Sequence, residues 1–357
     1  MRQIDLRSDT VTRPTDGMRQ VMATAIVGDD VFGEDPTIIE LEARMASTLS
    51  MEAGLFVASG TMSNLVALLT HAGRGDEIIM GKLAHTFLYE AGGAAALGGL
   101  HPHILENDAD GTLRLEDIAA ALRNADDIHQ PPTRLVTLEN SHNRCGGVAL
   151  TTAYCDAVAD LAHQHGLIVH LDGARLFNAA IALGVDVKTL TRCADSASVC
   201  LSKGLGAPVG SVLCGSATFI KRARHIRKQV GGGMRQAGIL AAAGLYALEH
   251  HIDRLADDHV LAHRLAEGID AIPGLRCEQA TDTTRTWTNL VYFTLDNAVA
   301  SKGLDAPALS ARLAERNVLC LPLGHDGRRI RMVTHLDVDA ADIQAALDTL
   351  QSVMNET

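Results

Sequence analysis

Six short apolar runs, each closed by turn residues and separated by helical periodicity, restrict the folds open to this chain. They are Gly54–Ala58, Glu77–Met80, Arg134–Asn140, Leu167–Asp172, Ser196–Leu201 and Val209–Cys214. Helical stretches lie between them at 37–50, 65–69, 114–124 and 153–165. A strand can run parallel to the one before it only if a crossover carries the chain back, and a helix does this best. Strands covered on both faces read as continuous apolar runs, as these do. The expectation is an α/β fold, with a mainly parallel sheet in a large domain and helices on both faces. In such a sheet the carboxyl ends of the strands converge on one edge, where ligands bind. Thr61, His85, Asp172 and Lys203 each fall at or just past such an end.

Each of these positions has an ordinary reading beside a chemical one. Lys203 follows a run of small and β-branched residues and precedes Gly204 and Gly206. A lysine fixed there is either a solvated turn residue or a desolvated amine, and desolvation frees an amine for Schiff-base chemistry. Ser59-Gly60-Thr61 lies between a strand and a helix, so it is either an ordinary cap or an anion site facing free N–H groups. It matches neither G-x-x-x-x-G-K-[ST] nor G-x-G-x-x-G. His85 is either a cap or a residue facing a ligand. His101 and His103 read as a loop pair, and no third ligand stands at metal spacing, so no metal site is expected. Arg7-Ser8-Asp9-Thr10 reads first as a cap for the helix near 15–25, and second as a cluster reaching a site. The basic helix 217–228 reads as a solvated face leading into Gly231-Gly232-Gly233.

Near Pro273 the pattern changes. Strands at Leu290–Thr294, Leu319–Pro322 and Arg328–Val333 mix with helices at 306–316 and 339–354, a smaller C-terminal α+β domain. The expected division is an N-terminal arm, 1–14, a large domain, 15–251, and a small domain, 252–357. A length of 357 residues suffices for both cores. The net charge of -12 argues against nucleic acid or an anionic membrane as a partner. Seven cysteines without a C-x-x-C pair read as reduced thiols of a cytoplasmic protein. The first residues lack the apolar core of a signal peptide, and no run approaches the ~18 apolar residues of a membrane span.

Together these features suit one cofactor. Pyridoxal 5'-phosphate needs an amine for its aldehyde (Lys203), donors for its phosphate (Ser59, Gly60, Thr61) and a carboxylate to keep its pyridine nitrogen protonated (Asp172). His85 is left to lie near the ring.

The chain resembles the low-specificity L-threonine aldolases, pyridoxal-phosphate enzymes of the aspartate-aminotransferase fold (fold type I). The resemblance is carried by Leu6-Arg7-Ser8-Asp9-Thr10-Val11-Thr12, Gly28-Asp29-Asp30-Val31, Ser59-Gly60-Thr61, His85 with Glu90-Ala91-Gly92-Gly93, and Leu138-Glu139-Asn140. It continues in His170-Leu171-Asp172-Gly173-Ala174-Arg175, Leu201-Ser202-Lys203-Gly204-Leu205-Gly206, Gly231-Gly232-Gly233-Met234-Arg235-Gln236 and Arg331-Met332-Val333-Thr334-His335. It implies cleavage of L-threonine, L-allo-threonine and other β-hydroxy-α-amino acids to glycine and an aldehyde. Lys203 is then the Schiff-base lysine and Asp172 the partner of the ring nitrogen. His85 stacks on the ring and, with His129, lies near the substrate hydroxyl. Ser8, Arg175 and Arg331 receive the substrate carboxylate. Lys228 and Arg235 approach the phosphate from a neighbouring subunit of a dimer or tetramer, with active sites at the interface. The alternatives on the same scaffold are β-elimination, hydroxymethyl transfer and transamination, or a cofactor-binding protein without catalysis. A nicotinamide dehydrogenase shares the fold class but would need the missing glycine fingerprint.

Overall fold

The computed structural model describes residues 2–124, 126–300, 303–324 and 326–356; Met1 and Thr357, the outer ends of the expected arm and small domain, lie outside them. Among the described residues a seven-stranded sheet forms the larger layer. Its order in space is Ala53–Val57, Ser211–Gly215, Ser196–Cys200, Ile168–Asp172, Thr133–Glu139, Glu77–Gly81 and His101–Leu105. From Ser196–Cys200 to the His101–Leu105 edge all neighbours run parallel. The strands Glu77–Gly81, Ser196–Cys200 and Ser211–Gly215 are buried throughout, as both-faced covering requires.

Ser211–Gly215 runs antiparallel to both its neighbours. The reason is local: residues 201–210 contain no helix, and a parallel return needs a crossover of about a dozen residues. The chain can only double back, and the turn in which it does so carries Lys203.

The helices follow their sequence signals. Asp35 accepts from the N–H groups of Thr37 and Ile38, Pro36 opens the helix Pro36–Thr48, and Ile38, Leu41 and Met45 are buried at helical spacing. The expected strand Leu319–Pro322 is instead two, Val318–Leu319 and Leu321–Leu323, in different sheets, and a second expectation fails. His101 and His103 lie on a strand at the sheet edge, not in a loop. Pro102 is tolerated there because an edge strand needs only one side of its ladder. The two rings flank the buried Glu77, at 3.8 and 3.3 Å.

A second, antiparallel sheet runs in the order Leu321–Leu323, Arg329–Val333, Leu290–Leu295 and Leu275–Cys277. Leu265, Ile269, Phe293, Ile330, Met332, Ile343 and Leu350 form its core with the helices Leu255–Asp270 and Ala340–Asn355. The N-terminal segment belongs to both layers. Ile4 and Leu6 are buried in this second core, and Ile4–Asp5 pairs in parallel with Val318–Leu319. A few residues on, the Thr12 hydroxyl donates to the carbonyl of Lys203 at 3.1 Å.

Candidate active site

Asp172 ends the strand Ile168–Asp172 and stands in register with Ser198 on the next strand. Only 2% of it is exposed. Its Oδ1 accepts from the Ala174 N–H at 3.1 Å and its Oδ2 from Asn64 Nδ2 at 2.8 Å. Lys203 follows in the return turn. That turn is closed by the Gly206 N–H on the Lys203 carbonyl, 2.9 Å, and by His251 Nδ1 on the Leu205 carbonyl, 2.7 Å. Gly206 has φ +74, a left-handed conformation that L side chains rarely adopt, and a Cβ there would meet Leu336 at 2.9 Å.

The helix Gly60–His71 starts against the end of the lysine strand. A Cβ on Gly60 would lie 2.7 Å from Cys200 Sγ, so glycine permits the approach. The Ser59 hydroxyl accepts from Met62 N–H and the Ser59 carbonyl from Ser63 N–H. The N–H groups of Gly60 and Thr61 stay open at the positive end of the helix, where a phosphate is favoured.

His85 opens a short turn whose N–H donates to Glu139 Oε2 at 2.7 Å; Glu139 Oε1 accepts from Asn143 N–H at 2.8 Å. His85 Nδ1 lies 3.0 Å from Glu90 Oε1, and the same oxygen accepts from Asn64 Nδ2 at 2.8 Å. Burial pushes the His85 imidazole down, but the Glu90 hydrogen bond and the Asp172 charge more than offset it, and its pKa is raised. Burial raises the Glu90 carboxyl, and Asp172 adds to this. His85, Glu90 and Asp172 bring ligand atoms within 4.8 Å of one another, but the Asn64 amide donates into their midst, where a cation would sit. We assign no metal to them.

The opposite wall is cationic. Arg175 is 6% exposed and donates through Nε and Nη2 to both oxygens of Asp9, each at 2.7 Å. This occupies one whole edge of the guanidinium and leaves Nη1 toward other acceptors. Burial pushes the Asp9 carboxyl up, but Arg175, with help from Lys203 and Asn289, holds it well below the ordinary range. Arg331, 8% exposed, donates from Nη1 to Asn143 Oδ1 at 3.0 Å and from Nη2 to the Arg7 carbonyl at 2.9 Å. Its Nε is buried with no hydrogen-bond partner among the described residues. Ser8 Oγ accepts from Thr10 and caps the turn Asp9–Val11. The helix Asp16–Ala23 is capped by Thr15, so the Arg7–Thr10 cluster does not serve that helix.

A model of the beta-eliminating lyase family matches residues 5–296. The low-specificity L-threonine aldolase 1 of Arabidopsis thaliana is 46% identical over 356 residues, 99% of this chain and 97% of that one. The chain belongs to the beta-eliminating lyase family, with the low-specificity L-threonine aldolases. The low specificity L-threonine aldolase of Escherichia coli strain K12 is 45% identical over 335 residues, 94% of each chain. A crystal structure of a putative L-allo-threonine aldolase from Listeria monocytogenes has the same fold, with TM-score 0.79 and 21% identity over 98% of this chain and 96% of that one. As a member of this family the protein is a lyase, and its cofactor is pyridoxal 5'-phosphate.

The residues present fit that cofactor. An open helix start, a buried strand-end carboxylate and a lysine turn lie around one strand end, and the Gly60 contact with Cys200 joins them.

Not every expected residue of this aldolase joins the site within one chain. His129 is exposed in the loop before Thr133–Glu139, with its N–H on Asp127. That strand has 7 residues and separates His129 from the Asp172 edge by roughly 20 Å at ~3.3 Å per residue. Lys228 is exposed, and Arg235 pairs with Asp29 at 2.9 Å while lying over the Phe32 ring.

Four participants went without roles in the sequence reading: Asn64, Glu90, Asp9 and Glu139. Asn64 had a signal, a lone amide inside the apolar run Leu65–Leu69 and its approach. The three acids lie inside the resembling motifs, but nothing in spacing says which basic group each will meet.

Proposed function

We propose that this protein cleaves L-threonine, and equally accepts L-allo-threonine and other β-hydroxy-α-amino acids, to give glycine and an aldehyde such as acetaldehyde. The observation that carries the reading is the buried Asp172 carboxylate beside the Lys203 turn, at the carboxyl ends of neighbouring strands, in a chain 46% identical to an L-threonine aldolase.

Bound pyridoxal phosphate supplies an electron sink for the pair released when the Cα–Cβ bond breaks. The chain does the rest. Lys203 would hold the cofactor through its side-chain amine. Asp172, kept in place by Asn64 and the Ala174 N–H, would be the partner of the pyridine nitrogen. Gly60 and Thr61 N–H groups, with Ser59, take the phosphate. Arg331 Nε, the outer edge of Arg175 and the Ser8 hydroxyl bind the substrate carboxylate and so fix the direction of the bond that breaks. That orientation matters, since ~1 Å of misplacement can cost about a hundredfold. His85 takes the β-hydroxyl proton on Nε2, directly or through a water, and an imidazole titrates near working pH.

A homo-oligomer completes the reading. Ile26, Phe32 and Leu97 are 74%, 73% and 63% exposed, and Lys228, Arg235 and His129 lie exposed where a second copy's site can reach them. No helix among the described residues is long and apolar enough to cross a membrane. Seven buried cysteines without a disulfide support a cytoplasmic location.

The test is product analysis with the purified, cofactor-loaded protein on both threonine epimers. Glycine and acetaldehyde in equal amounts are expected. β-Elimination, the reaction of the beta-eliminating lyases, is the rival, and from threonine it would instead release 2-oxobutanoate and ammonia. A strong rate preference between the epimers would refute the equal acceptance.

A further inference from the structure

We propose that Asn64, oriented by His170, is the positioning residue that joins the Asp172 and Glu90 carboxylates and thereby holds His85 with a hydrogen on Nδ1 and its Nε2 toward the substrate. The inference rests on the proposed reaction only for what His85 and Asp172 then act upon.

Asn64 is 2% exposed and every polar atom of its amide is engaged. Nδ2 lies 2.8 Å from Glu90 Oε1 and 2.8 Å from Asp172 Oδ2, and Oδ1 lies 3.1 Å from His170 Nε2. An amide nitrogen has two hydrogens, so one goes to each carboxylate. Turned over, the amide would set its oxygen lone pairs against two carboxylate oxygens. His170 decides between the two orientations, because only an Nε2–H satisfies the Asn64 oxygen.

The chain of bonds continues inward. With its hydrogen on Nε2, His170 accepts on Nδ1 from the Ser196 hydroxyl at 2.8 Å. Ser196 Oγ in turn accepts from His71 Nε2 at 2.8 Å. His170 and Ser196 are fully buried, and desolvation pushes His170 down to about 4, so it is neutral and carries one ring hydrogen. His71, stacked on Phe219 with centroids 4.2 Å apart, closes the far end and is likewise held neutral by burial, at about 3. Every donor has one acceptor along Asn64, His170, Ser196 and His71. Toward the site, Glu90 Oε1 accepts from both Asn64 and His85. A carboxylate so placed requires His85 to donate from Nδ1, which leaves Nε2 as the proton-accepting atom.

Two measurements test this. A neutron crystal structure of the holoenzyme at alkaline pH shows the hydrogens directly. Deuterium on His170 Nε2, on His85 Nδ1 and on the Asn64 nitrogen facing both carboxylates is expected. Deuterium on His170 Nδ1, on His85 Nε2 alone, or a reversed Asn64 overturns the proposal. The second compares two variants. His170→Gln offers an amide N–H where Nε2–H stood and keeps kcat within about threefold. His170→Leu frees Asn64 to turn and lowers kcat about tenfold or more at nearly constant KM, the scale of a lost supporting hydrogen bond or a small misplacement. Equal loss in both variants, or none in His170→Leu, overturns it. A protein with these hydrogens that releases no glycine would sink the reaction reading alone. An active aldolase with the hydrogens elsewhere would sink only this one.

Discussion

Asp9 and Arg175 form a two-pronged ion pair inside the protein, Nε to Oδ2 and Nη2 to Oδ1, both at 2.7 Å. Neither side chain is more than 5% exposed. Asp9 comes from the N-terminal segment and Arg175 from the turn after Asp172, so the pair fastens that segment to the site. Asp9→Ala leaves a buried guanidinium without its counter-ion and is expected to lower stability by ~3–5 kcal/mol, read by urea unfolding. Asp9→Asn keeps the shape, costs less and raises KM for threonine, because Arg175 loses its fixed pose. A KM equal to that of the parent would show that Arg175 orientation is irrelevant to substrate.

The same pair sets an acid limit. Asp9 has a folded pKa well below its ordinary value, with Arg175 overcoming the effect of burial. The unfolded chain therefore binds more protons as pH drops through about 4, the ordinary aspartate range. The pair's stabilisation is full above that pH and is lost as pH falls toward the depressed value. Acid-unfolding curves of the parent should fall more steeply there than those of Asp9→Asn; superimposable slopes would contradict this.

Arg331, proposed above to bind the substrate carboxylate, has a buried Nε with no partner among the described residues. Arg331→Leu is expected to raise KM for threonine roughly ten- to a hundredfold, the weight of a charge-assisted hydrogen bond. Arg331→Lys restores little, since the compact ammonium lacks the spread, planar donors that reach Asn143, the Arg7 carbonyl and a carboxylate from separate nitrogens. Steady-state kinetics of both variants check the assignment.

Glu90→Gln tests the His85 pair. Desolvation lowers the imidazole, and Glu90 and Asp172 raise it by more. If neutral His85 takes the hydroxyl proton, kcat/KM rises with pH through that raised pKa. Glutamine removes the charge that favours imidazolium, so the acid limb of the pH–rate profile moves to lower pH. A limb that stays put assigns it to another group.

Lys203→Ala is expected to fold, bind the cofactor weakly and yield no borohydride-fixed adduct. Asp172→Asn should retain some cofactor and lose most turnover, on the order of a hundredfold, as a neutral partner leaves the ring a poor electron sink. A reducible adduct in the first variant, or near-normal turnover in the second, would move these roles elsewhere.

Much of this was legible along the chain. The apolar runs with helical spacers are the strands and helices of the larger sheet, because alternation and burial on both faces are local properties of composition. Asp172, Lys203, His85 and Gly60 could be picked out because each closes a strand or opens a helix, and strand ends in such sheets point one way. His101 and His103 were misread because a polar edge strand carries little apolar signal. Ser8 is a cap, but of the turn Asp9–Val11 rather than of the helix near 15–25, and the pairing of Asp9 was illegible because its partner, Arg175, lies 166 residues away.

The sequence by itself determined the class of fold and the cofactor, since alternating apolar runs with helical spacers and the family motifs are written along the chain. Only the tertiary structure decided the partners: Asp9 with Arg175, Glu90 with His85, Asn64 between two carboxylates, and His129 on the far side of its own sheet. Hydrogen bonds and ion pairs act over about 3 Å between groups far apart along the chain. No local pattern in the sequence records which of them folding will bring together.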